Sequence, residues 1–499
     1  VARAQSMVFG DGFVNIFRLF TFADSDVHHG AVGREPHIRI FPPNRFWLAP
    51  VKRAAASLNM SITTTDSWNI FWSFQVPWPD QHATLTRRRL KPGFVASSPQ
   101  WAVNHVAGIG AITIKRELVS TMAVLASHHP QLFEGAFPET YRLPEQLRPL
   151  MRRLRVKGVS DAADWPNWMQ KSVSHRGIHV LANGSHAALR LLGSAIVQAR
   201  VKPLLLPTLH RAFDMGLYVL LSSVRPLRVY AFDEMLVRFC SEEYPHEPAA
   251  FSSLSRYVIK EYTPIWELPQ LADELKACNR SARCAVRAAI KRSGVDADIL
   301  LARQRRVAAG LLAAMQPTIE RGLARQLIAR DAAFELLRFD FMVNSKADPL
   351  LTEVNVSPNL AARTPEDGAV KHRLLRAVLR IVSLRLNIQS QPRAIPDLNC
   401  ANGCCALSFA CPSAGYNTGE CLSAGESSAL KLAVAEDKVA KAVGMGRIFP
   451  PPQGRWQEVG NEDSAIGKGG PAAHSALWPL PSREDALFSC YLERPLVRR

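Results

Sequence analysis

The stretch LRFDFMVNSKADPLLTEVNVSPNL, from Leu337 to Leu360, holds two short apolar runs that are each interrupted by a carboxylate. Phe339–Val343 is apolar and aromatic, as in a strand, and Leu350–Val356 returns as a second strand-like run. The intervening residues, Asn344–Pro349, combine Asn, Ser, Asp and Pro, which is turn chemistry. The pattern therefore predicts an antiparallel hairpin with a loop of about four to six residues.

Three oxygen-bearing side chains can share one face of this hairpin. Residues two apart on a strand point to the same side, so Glu353 and Asn355 share a face, and Asp340 on the paired strand can share it too. Two carboxylates and an amide offer the hard oxygen ligands that bind Mg²⁺, which keeps phosphate oxygens and waters as its other ligands. A plain hairpin with charges at its edge is the structural alternative.

Composition narrows the class of protein. The 499 residues are 47% hydrophobic and 21% charged, with a formal net charge of +18, so a globular chain of about two to three domains is expected. This charge favours acidic partners. Basic clusters with interleaved aromatic residues are absent, so nucleic acid is the weaker partner. No apolar run reaches membrane-spanning length, which makes a membrane partner unexpected. Since the sequence begins with Val1, a lost signal or anchor segment stays open.

Eight of the nine cysteines fall into two groups, and Cys490 stands alone. Cys240, Cys278 and Cys284 lie in the body of the chain and suggest free thiols of a cytosolic protein. Five more crowd the stretch from Cys400 to Cys421, where they suit either a small metal site or disulfides, and their spacing matches no known zinc pattern.

Several segments besides the hairpin follow a family pattern in order. The hairpin itself fits F-D-F-M … L-x-E-V-N-x-S-P. Further matching segments are DSWNIFWS (Asp66–Ser73), VNHVAGIGAITIKREL (Val103–Leu118), FPETYRLP (Phe137–Pro144), WMQKSVSHRGIHVL (Trp168–Leu181), IVQARVKPLLL (Ile196–Leu206), RAFDMGLYVLLSSVRPLRVYAF (Arg211–Phe232) and MLVRFCSEEY (Met235–Tyr244). Over residues 40–385 the chain resembles the tubulin–tyrosine ligase-like family.

The resemblance implies an α/β (α+β) ATP-grasp fold with a smaller N-terminal domain and a poorly ordered C-terminal tail. The implied divisions are an N-terminal extension (1–40), an N-terminal domain of the family type (41–117), a central ATP-grasp subdomain (118–232), a C-terminal ATP-grasp subdomain with the hairpin (233–388), and a largely disordered Cys/Pro/Gly-rich tail (389–499). Patterning adds helices over Glu117–Ser127, Leu147–Val156, 295–330 and Val370–Leu386.

The resemblance also implies roles for named residues. Asp340, Glu353 and Asn355 would hold Mg²⁺ on the phosphates of ATP. Other implied contacts are Lys115 and Lys171 to the nucleotide phosphates, Arg176 and Gly177 in the loop over them, Val197 and Gln198 at the adenine, and Asp214 and Arg238 as catalytic residues facing the phosphates and the incoming amino acid. A structural ion pair is the alternative for Asp214 and Arg238, and an exposed lysine at a strand end is the alternative for Lys171. For Lys115 the alternatives are that the neighbouring Arg116 makes the contact or that both are surface residues.

Two departures from the family pattern concern substrate recognition. Where the family reads K-F-D-x-R, this chain reads Ala212-Phe213-Asp214-Met215-Gly216, so a lysine and an arginine beside Asp214 are absent. The family's H-L-T-N segment after Arg238 is replaced by RYVIKEYTPIWELP, residues Arg256–Pro269. The missing basic groups would help to recognise acidic substrates, so the choice of glutamate as the added amino acid is open.

The resemblance predicts an ATP- and Mg²⁺-dependent amino-acid ligase of the tubulin polyglutamylase type. It would add glutamate to the acidic tails of tubulin, through an acyl phosphate, in the cytoplasm at microtubules. The alternatives are a microtubule-associated nucleotide-binding module without ligase activity, a glycine ligase, and a ligase for a non-tubulin acceptor. The last would suit a secretory location if the Cys400–Cys421 cluster is disulfide-bonded.

Overall fold

The computed structural model describes residues 36–43, 45–65, 68–75, 101–156, 168–172, 177–180, 195–245, 253–259, 261–325, 332–386, 395, 397–411, 414–451, 486–488 and 490–491. Its strands are β1 (His37–Phe41), β2 (Ser61–Ile62), β3 (Ile70–Ser73), β4 (Ala102–Asn104), β5 (Thr140–Leu143), β6 (Trp168–Ser172), β7 (Ile178–Val180), β8 (Ala195–Ala199), β9 (Phe213–Val224), β10 (Leu227–Cys240), β11 (Tyr262–Pro264), β12 (Ala333–Val343), β13 (Pro349–Val356), β14 (Leu398–Ala401), β15 (Cys404–Leu407), β16 (Cys421–Leu422) and β17 (Met445–Phe449).

The helices in the same ranges include one at each of the four predicted helical segments. They are α1 (Ala49–Ala56), α2 (Gly110–Thr113), α3 (Lys115–His128), α4 (Pro130–Phe133), α5 (Leu147–Val156), α6 (Ala272–Ala277), α7 (Ala282–Arg292), α8 (Ala297–Arg325), α9 (Pro365–Ser383) and α10 (Ala424–Ala442). None of these helices combines the length and the apolar character that a membrane crossing requires.

A ten-stranded mixed sheet organises the fold, with the order β11-β10-β9-β12-β4-β3-β1-β2 and with β13 and β17 added to β12 and β10. Its centre is the long hairpin β9–β10, in which every residue of β9 is buried. Strand β12 pairs antiparallel with β9 and parallel with β4, so the N-terminal strands continue the same sheet. The predicted division at residues 232 and 233 falls inside β10, and the other domain boundaries stay predictions.

Helices cover both faces of this sheet. Apolar residues of α7 and α9 form one core with Tyr218 and Leu220 of β9. Apolar residues of α3 and α8 form a second core with Leu217, Val219 and Leu221 of the same strand. Side chains alternate between the faces of a strand, so one strand feeds both cores. The predicted α/β class is confirmed, and the arrangement is consistent with an ATP-grasp domain.

A smaller antiparallel sheet, ordered β5-β8-β6-β7, carries the segment that the sequence assigned to nucleotide contacts. Lys171 of β6 is paired in register with Ile196 of β8, next to Val197 and Gln198. This register fixes where the candidate phosphate and adenine residues lie.

The C-terminal region contains more order than the sequence indicated. Within residues 389–499, β14–β16 form a three-stranded sheet, α10 is a five-turn helix, and β17 pairs antiparallel with β10 of the main sheet. Helix α10 begins with a capping box in which Ser423 and Glu426 satisfy each other's backbone N–H groups. The expectation of a poorly ordered tail therefore does not extend to β14–β16, α10 and β17.

Eight of the nine cysteines are paired, and Cys240 is buried and free. The disulfides are Cys278–Cys284, Cys400–Cys405, Cys404–Cys421 and Cys411–Cys490. The expectation of free thiols at Cys278 and Cys284 is wrong. The turn between α6 and α7 brings their Cα atoms to 5.6 Å, an ordinary disulfide separation. In the Cys400–Cys421 group the disulfide alternative is the correct one.

Candidate active site

The quoted hairpin forms as predicted. In β12 and β13, Asp340 lies opposite Glu353 and Arg338 lies opposite Asn355. A bulge follows at Thr352, whose Oγ1 donates a hydrogen bond to the Asp340 carbonyl at 2.9 Å. The Asn355 Nδ2 group donates to Asp340 Oδ2 at 2.9 Å and to Glu353 Oε1 at 3.2 Å. The three oxygen-bearing side chains therefore lie together, and their role as metal ligands stays a prediction.

Asp340 is held by two guanidinium groups. Arg338 donates Nε to Oδ1 at 2.6 Å and Nη2 to Oδ2 at 2.8 Å. Arg238 adds Nη2 to Oδ2 at 3.0 Å and binds both carboxylate oxygens of Asp214 at 2.8 and 2.5 Å. Arg238 and Asp214 thus form an ion pair, and the same arginine links that pair to the hairpin.

Burial of this network sets its electrostatics. Desolvation raises the pKa of Asp214 to about 6, against the lowering by Arg238. The pKa of Arg238 stays well above its usual value although burial lowers it, because Asp214 and Asp340 favour the charged form. Buried charges of this kind persist only when paired and hydrogen-bonded. The network is therefore a charged and tightly connected element of the site.

Lys115 binds Glu353. Its Nζ lies 2.7 Å from Glu353 Oε2, and the lysine is the first residue of α3. Burial works to raise the pKa of Glu353, but Lys115 and the hydrogen bond from Asn355 outweigh it, so the net pKa is lowered. Glu353 is consequently an anion throughout the neutral range, as a ligand of a cation must be.

Lys171, on the smaller sheet, donates Nζ to Gln198 Oε1 at 2.6 Å, and Gln198 Nε2 donates to Thr140 Oγ1 at 3.0 Å. Val197 is fully buried, and its core includes Leu143. Desolvation lowers the pKa of Lys171 to about 8, and the charges of Glu353 and Lys115 also act on it. The nucleotide-contact candidates thus lie near the hairpin.

This lowered pKa predicts a pH dependence of nucleotide binding. Lys171 is charged below about pH 8 and neutral above it, so affinity for the ATP phosphates is expected to fall by up to about tenfold per pH unit above that pKa. Calorimetric titration of a non-hydrolysable ATP analogue between pH 7 and 9.5 measures this. Lys171→Arg stays charged, so its affinity should be high and independent of pH over this range. Lys171→Gln carries no charge, so its affinity should be low and equally independent of pH. An unchanged profile in Lys171→Gln would assign the titration to another group.

The loop between β6 and β7 is described only at its end. Arg176 lies outside the described residues. Gly177 has φ +100°, a conformation that favours glycine, and its carbonyl accepts a hydrogen bond from the Ser172 N–H at 3.2 Å. Its proposed position over phosphates stays a prediction.

The residues present fit Mg²⁺ by their donor chemistry. Across the described ranges, no three His, Cys, Asp or Glu side chains gather as a metal site. An ion here would depend on the two carboxylates and the Asn355 amide, the small protein ligand set typical of Mg²⁺ bound with phosphates. Three carboxylates (Asp214, Asp340, Glu353) stand among four cations (Lys115, Lys171, Arg238, Arg338), an excess of positive charge that suits a polyphosphate.

Arg338 was not among the site residues predicted from the sequence. It lies two residues before Asp340 in the quoted stretch and therefore on the same face of β12. An arginine inside a strand-like apolar run was the available signal, since arginine is rarely buried unless paired.

The polar side chains of the V-N-H segment, Val103 to His105, have structural partners. His105 Nδ1 lies 2.9 Å from Glu335 Oε1, both side chains are 1% exposed, and Glu335 Oε2 accepts from the Val106 N–H at 3.0 Å. Asn104 Nδ2 donates to the Ser73 carbonyl at 2.7 Å. These bonds tie β3, β4 and β12 together.

Comparison with known proteins gives a family match. The tubulin-tyrosine ligase family model matches residues 95–391, more than half of the chain. The chain is 28% identical over 306 residues to a probable tubulin polyglutamylase, ttll-15, of Caenorhabditis elegans, covering 60% of this chain and 55% of that protein. It is 26% identical over 303 residues to the tubulin monoglutamylase TTLL4 of Mus musculus, covering 59% and 24%.

A probable beta-tubulin polyglutamylase of Tetrahymena thermophila is 24% identical over 325 residues, which cover 63% of this chain and 26% of that protein. The chain thus spans about half, or less, of the length of these relatives. Its fold, the order of its motifs and the family model lead to one conclusion: the chain belongs to the tubulin-tyrosine ligase family.

Proposed function

We propose that this chain is an ATP- and Mg²⁺-dependent ligase that adds glutamate to a protein carboxylate, with tubulin as its first candidate acceptor. The observation that carries the proposal is the cluster of Asp340, Glu353 and Asn355 among Lys115 and Arg238. The relatives named as tubulin polyglutamylases and monoglutamylases support the acceptor and the amino acid.

The chemistry needs activation before amide formation. A carboxylate is a poor electrophile, so its oxygen attacks the γ-phosphorus of ATP, ADP leaves, and an acyl phosphate forms on the acceptor. The amine of the incoming amino acid then attacks the acyl carbon, and inorganic phosphate leaves with the oxygen. Catalysis consists mainly of positioning and neutralisation of phosphate charge. Bound Mg²⁺ would supply part of that neutralisation through Asp340, Glu353 and Asn355.

This chain's own residues supply the rest. Lys115 and Lys171 are point charges near the hairpin, suited to phosphate oxygens. Arg238 is oriented by both oxygens of Asp214, so its guanidinium is fixed before substrates bind. The acidic tails of tubulin would suit the net charge of +18.

Incorporation of labelled glutamate, glycine and tyrosine, each tested separately on purified tubulin with ATP and Mg²⁺, tests the proposal. Glutamate incorporation that requires Glu353 is the expected result. Glycine incorporation would replace glutamate as the added amino acid. No incorporation despite nucleotide binding would favour the non-catalytic module or another acceptor.

The disulfides favour a second candidate, a ligase for a non-tubulin acceptor in an oxidising compartment. Four pairs use eight of the nine cysteines, and structural disulfides persist mainly where glutathione does not reduce them. An acceptor there would be a secreted or luminal protein with acidic side chains.

Thiol titration tests this second candidate. Denatured protein from eukaryotic cells, purified without reductant, is expected to show one reactive thiol, from Cys240, and nine after reduction. Cys240→Ser should lower the first value to zero. A count near nine before reduction would remove the argument for an oxidising compartment and leave tubulin as the acceptor.

A further inference from the structure

Position 216 lies beside the charged network and has no room for a side chain, which accounts for the glycine there. It is paired with Asp340 of β12 and with Leu236 of β10. A Cβ at position 216 would lie 2.9 Å from Arg338 Cδ and 3.1 Å from Asp340 Oδ1. Its backbone is not in the left-handed region, so space, and not conformation, accounts for this glycine.

Arg338 occupies that space from the neighbouring strand. Its side chain is 7% exposed and binds both oxygens of Asp340 in a fork. Burial lowers the pKa of the Arg338 guanidinium, as does the charge of Arg238, but the charge and the hydrogen bonds of Asp340 hold it above its usual value. A planar guanidinium in such a fork fixes the direction of a carboxylate, which a lysine cannot do.

The two positions are complementary in the sequence as well. The family pattern K-F-D-x-R has its arginine where this chain has Gly216, and this chain has Arg338 one strand away. We propose that Arg338 lies across Gly216 as a positioning residue for Asp340, so that the guanidinium absent from β9 is supplied from β12. This inference rests on the proposed nucleotide and Mg²⁺ site.

Arg338 acts through Asp340 and not on the amino-acid substrate. The Nε and Nη2 groups, which form the fork, are both used on Asp340. The proposal therefore explains how the metal-binding carboxylate is oriented without the arginine of the family pattern. It does not restore a pocket for a glutamate side chain.

Binding of a non-hydrolysable ATP analogue, measured by calorimetry with Mg²⁺ and with EDTA, tests the positioning role. Arg338→Gln and Arg338→Lys are each expected to weaken binding more than tenfold with Mg²⁺ and less than threefold with EDTA. Gly216→Arg alone should weaken Mg²⁺-dependent binding similarly. The exchange Gly216→Arg with Arg338→Gly should recover affinity to within threefold of the wild type.

The matched control is Arg287→Gln. Arg287 makes the same fork with Asp298, at 2.5 and 2.6 Å, but both side chains are largely exposed and the pair is not part of the charged network. Its nucleotide affinity should not change. If Arg338→Gln lost the same affinity with Mg²⁺ as with EDTA, the effect would be one of charge alone and the positioning role would be overturned. Unchanged binding by Arg338→Lys would also overturn it.

Thermal unfolding tests the packing claim independently of any ligand. Gly216→Ala should lower Tm by several degrees in the wild type and by much less in the Arg338→Gly background, because the methyl group then meets no Arg338. Equal shifts in both backgrounds would overturn the complementarity. Wild-type protein that binds no nucleotide with Mg²⁺ would overturn the proposed function together with the positioning role. Normal binding by all Arg338 variants would overturn the inference alone.

Discussion

Replacement of Glu353 by glutamine is expected to lower ATP-dependent amino-acid incorporation by at least about 100-fold, a loss typical of removing a preorganised charge from an active site. Glutamine keeps the shape of the side chain but removes the anion that binds Lys115 Nζ at 2.7 Å. It would also remove one of the two carboxylates that fit Mg²⁺. The Glu353 side chain is 30% exposed, so the fold should tolerate the change.

Two measurements separate the chemical effect from an unfolding effect. Incorporation of labelled glutamate reports the reaction, and Mg²⁺-dependent binding of an ATP analogue reports the site without turnover. Glu145→Gln is the matched control, because Glu145 pairs with Arg116, the residue after Lys115, and lies outside the carboxylate cluster. Its activity should match the wild type. A Glu353→Gln protein with full activity would show that the hairpin holds no essential metal.

Replacement of Glu436 by glutamine is expected to lower the free energy of unfolding by about 3–5 kcal/mol, the usual effect of removing one partner of a buried ion pair. Glu436 of α10 is fully buried and accepts from Arg228 Nε at 2.7 Å and Nη2 at 3.1 Å. Ser222 Oγ donates to it at 2.9 Å, and Arg385 Nε lies 3.8 Å away. Glutamine would leave Arg228 buried without a compensating charge.

The control for this substitution is Asp298→Asn. Asp298 also binds an arginine through both oxygens, and Lys291 Nζ at 2.7 Å, but it is 52% exposed. Exposed pairs contribute little, so its loss should be below about 1 kcal/mol. Chemical denaturation of both variants with the wild type gives the comparison. A Glu436→Gln protein as stable as the wild type would show that α10 packs on the sheet without needing this pair.

The Glu436 contact also bears on the extent of the fold. Helix α10 and β17 follow the last residue of the family match, residue 391. Nevertheless β17 pairs with β10, and α10 delivers a buried carboxylate to the same strand. Helix α10 and β17, although beyond the family match, are therefore part of the main folded unit, which composition alone did not indicate.

Local pattern was sufficient for the hairpin. The alternation of side chains along a strand is a property of a few consecutive residues, so Asp340, Glu353 and Asn355 could be placed on one face before any tertiary contact was known. The helices around 117–127 and 147–156 were likewise readable from local periodicity. The roles predicted for Lys115, Lys171 and Gln198 depended on motifs that occur in the same order as in the family.

The partners of these residues could not be read in the same way. Arg238 and Asp340 are separated by 102 positions, and Arg228 and Glu436 by 208. Arg238 is an example. It forms the ion pair with Asp214 that was the structural alternative, and it also binds Asp340 of the hairpin. No local pattern distinguishes these cases.

The sequence by itself determined the family, the α/β class and the face on which the hairpin carboxylates lie, because each depends on short-range order or on motifs. The tertiary structure alone decided that Arg338 crosses Gly216, that eight cysteines pair, and that α10 inserts Glu436 beside Arg228. Those contacts depend on strand neighbours and packing between residues far apart in the chain. Burial decides them, since a buried charge or polar group must find a partner wherever the fold provides one.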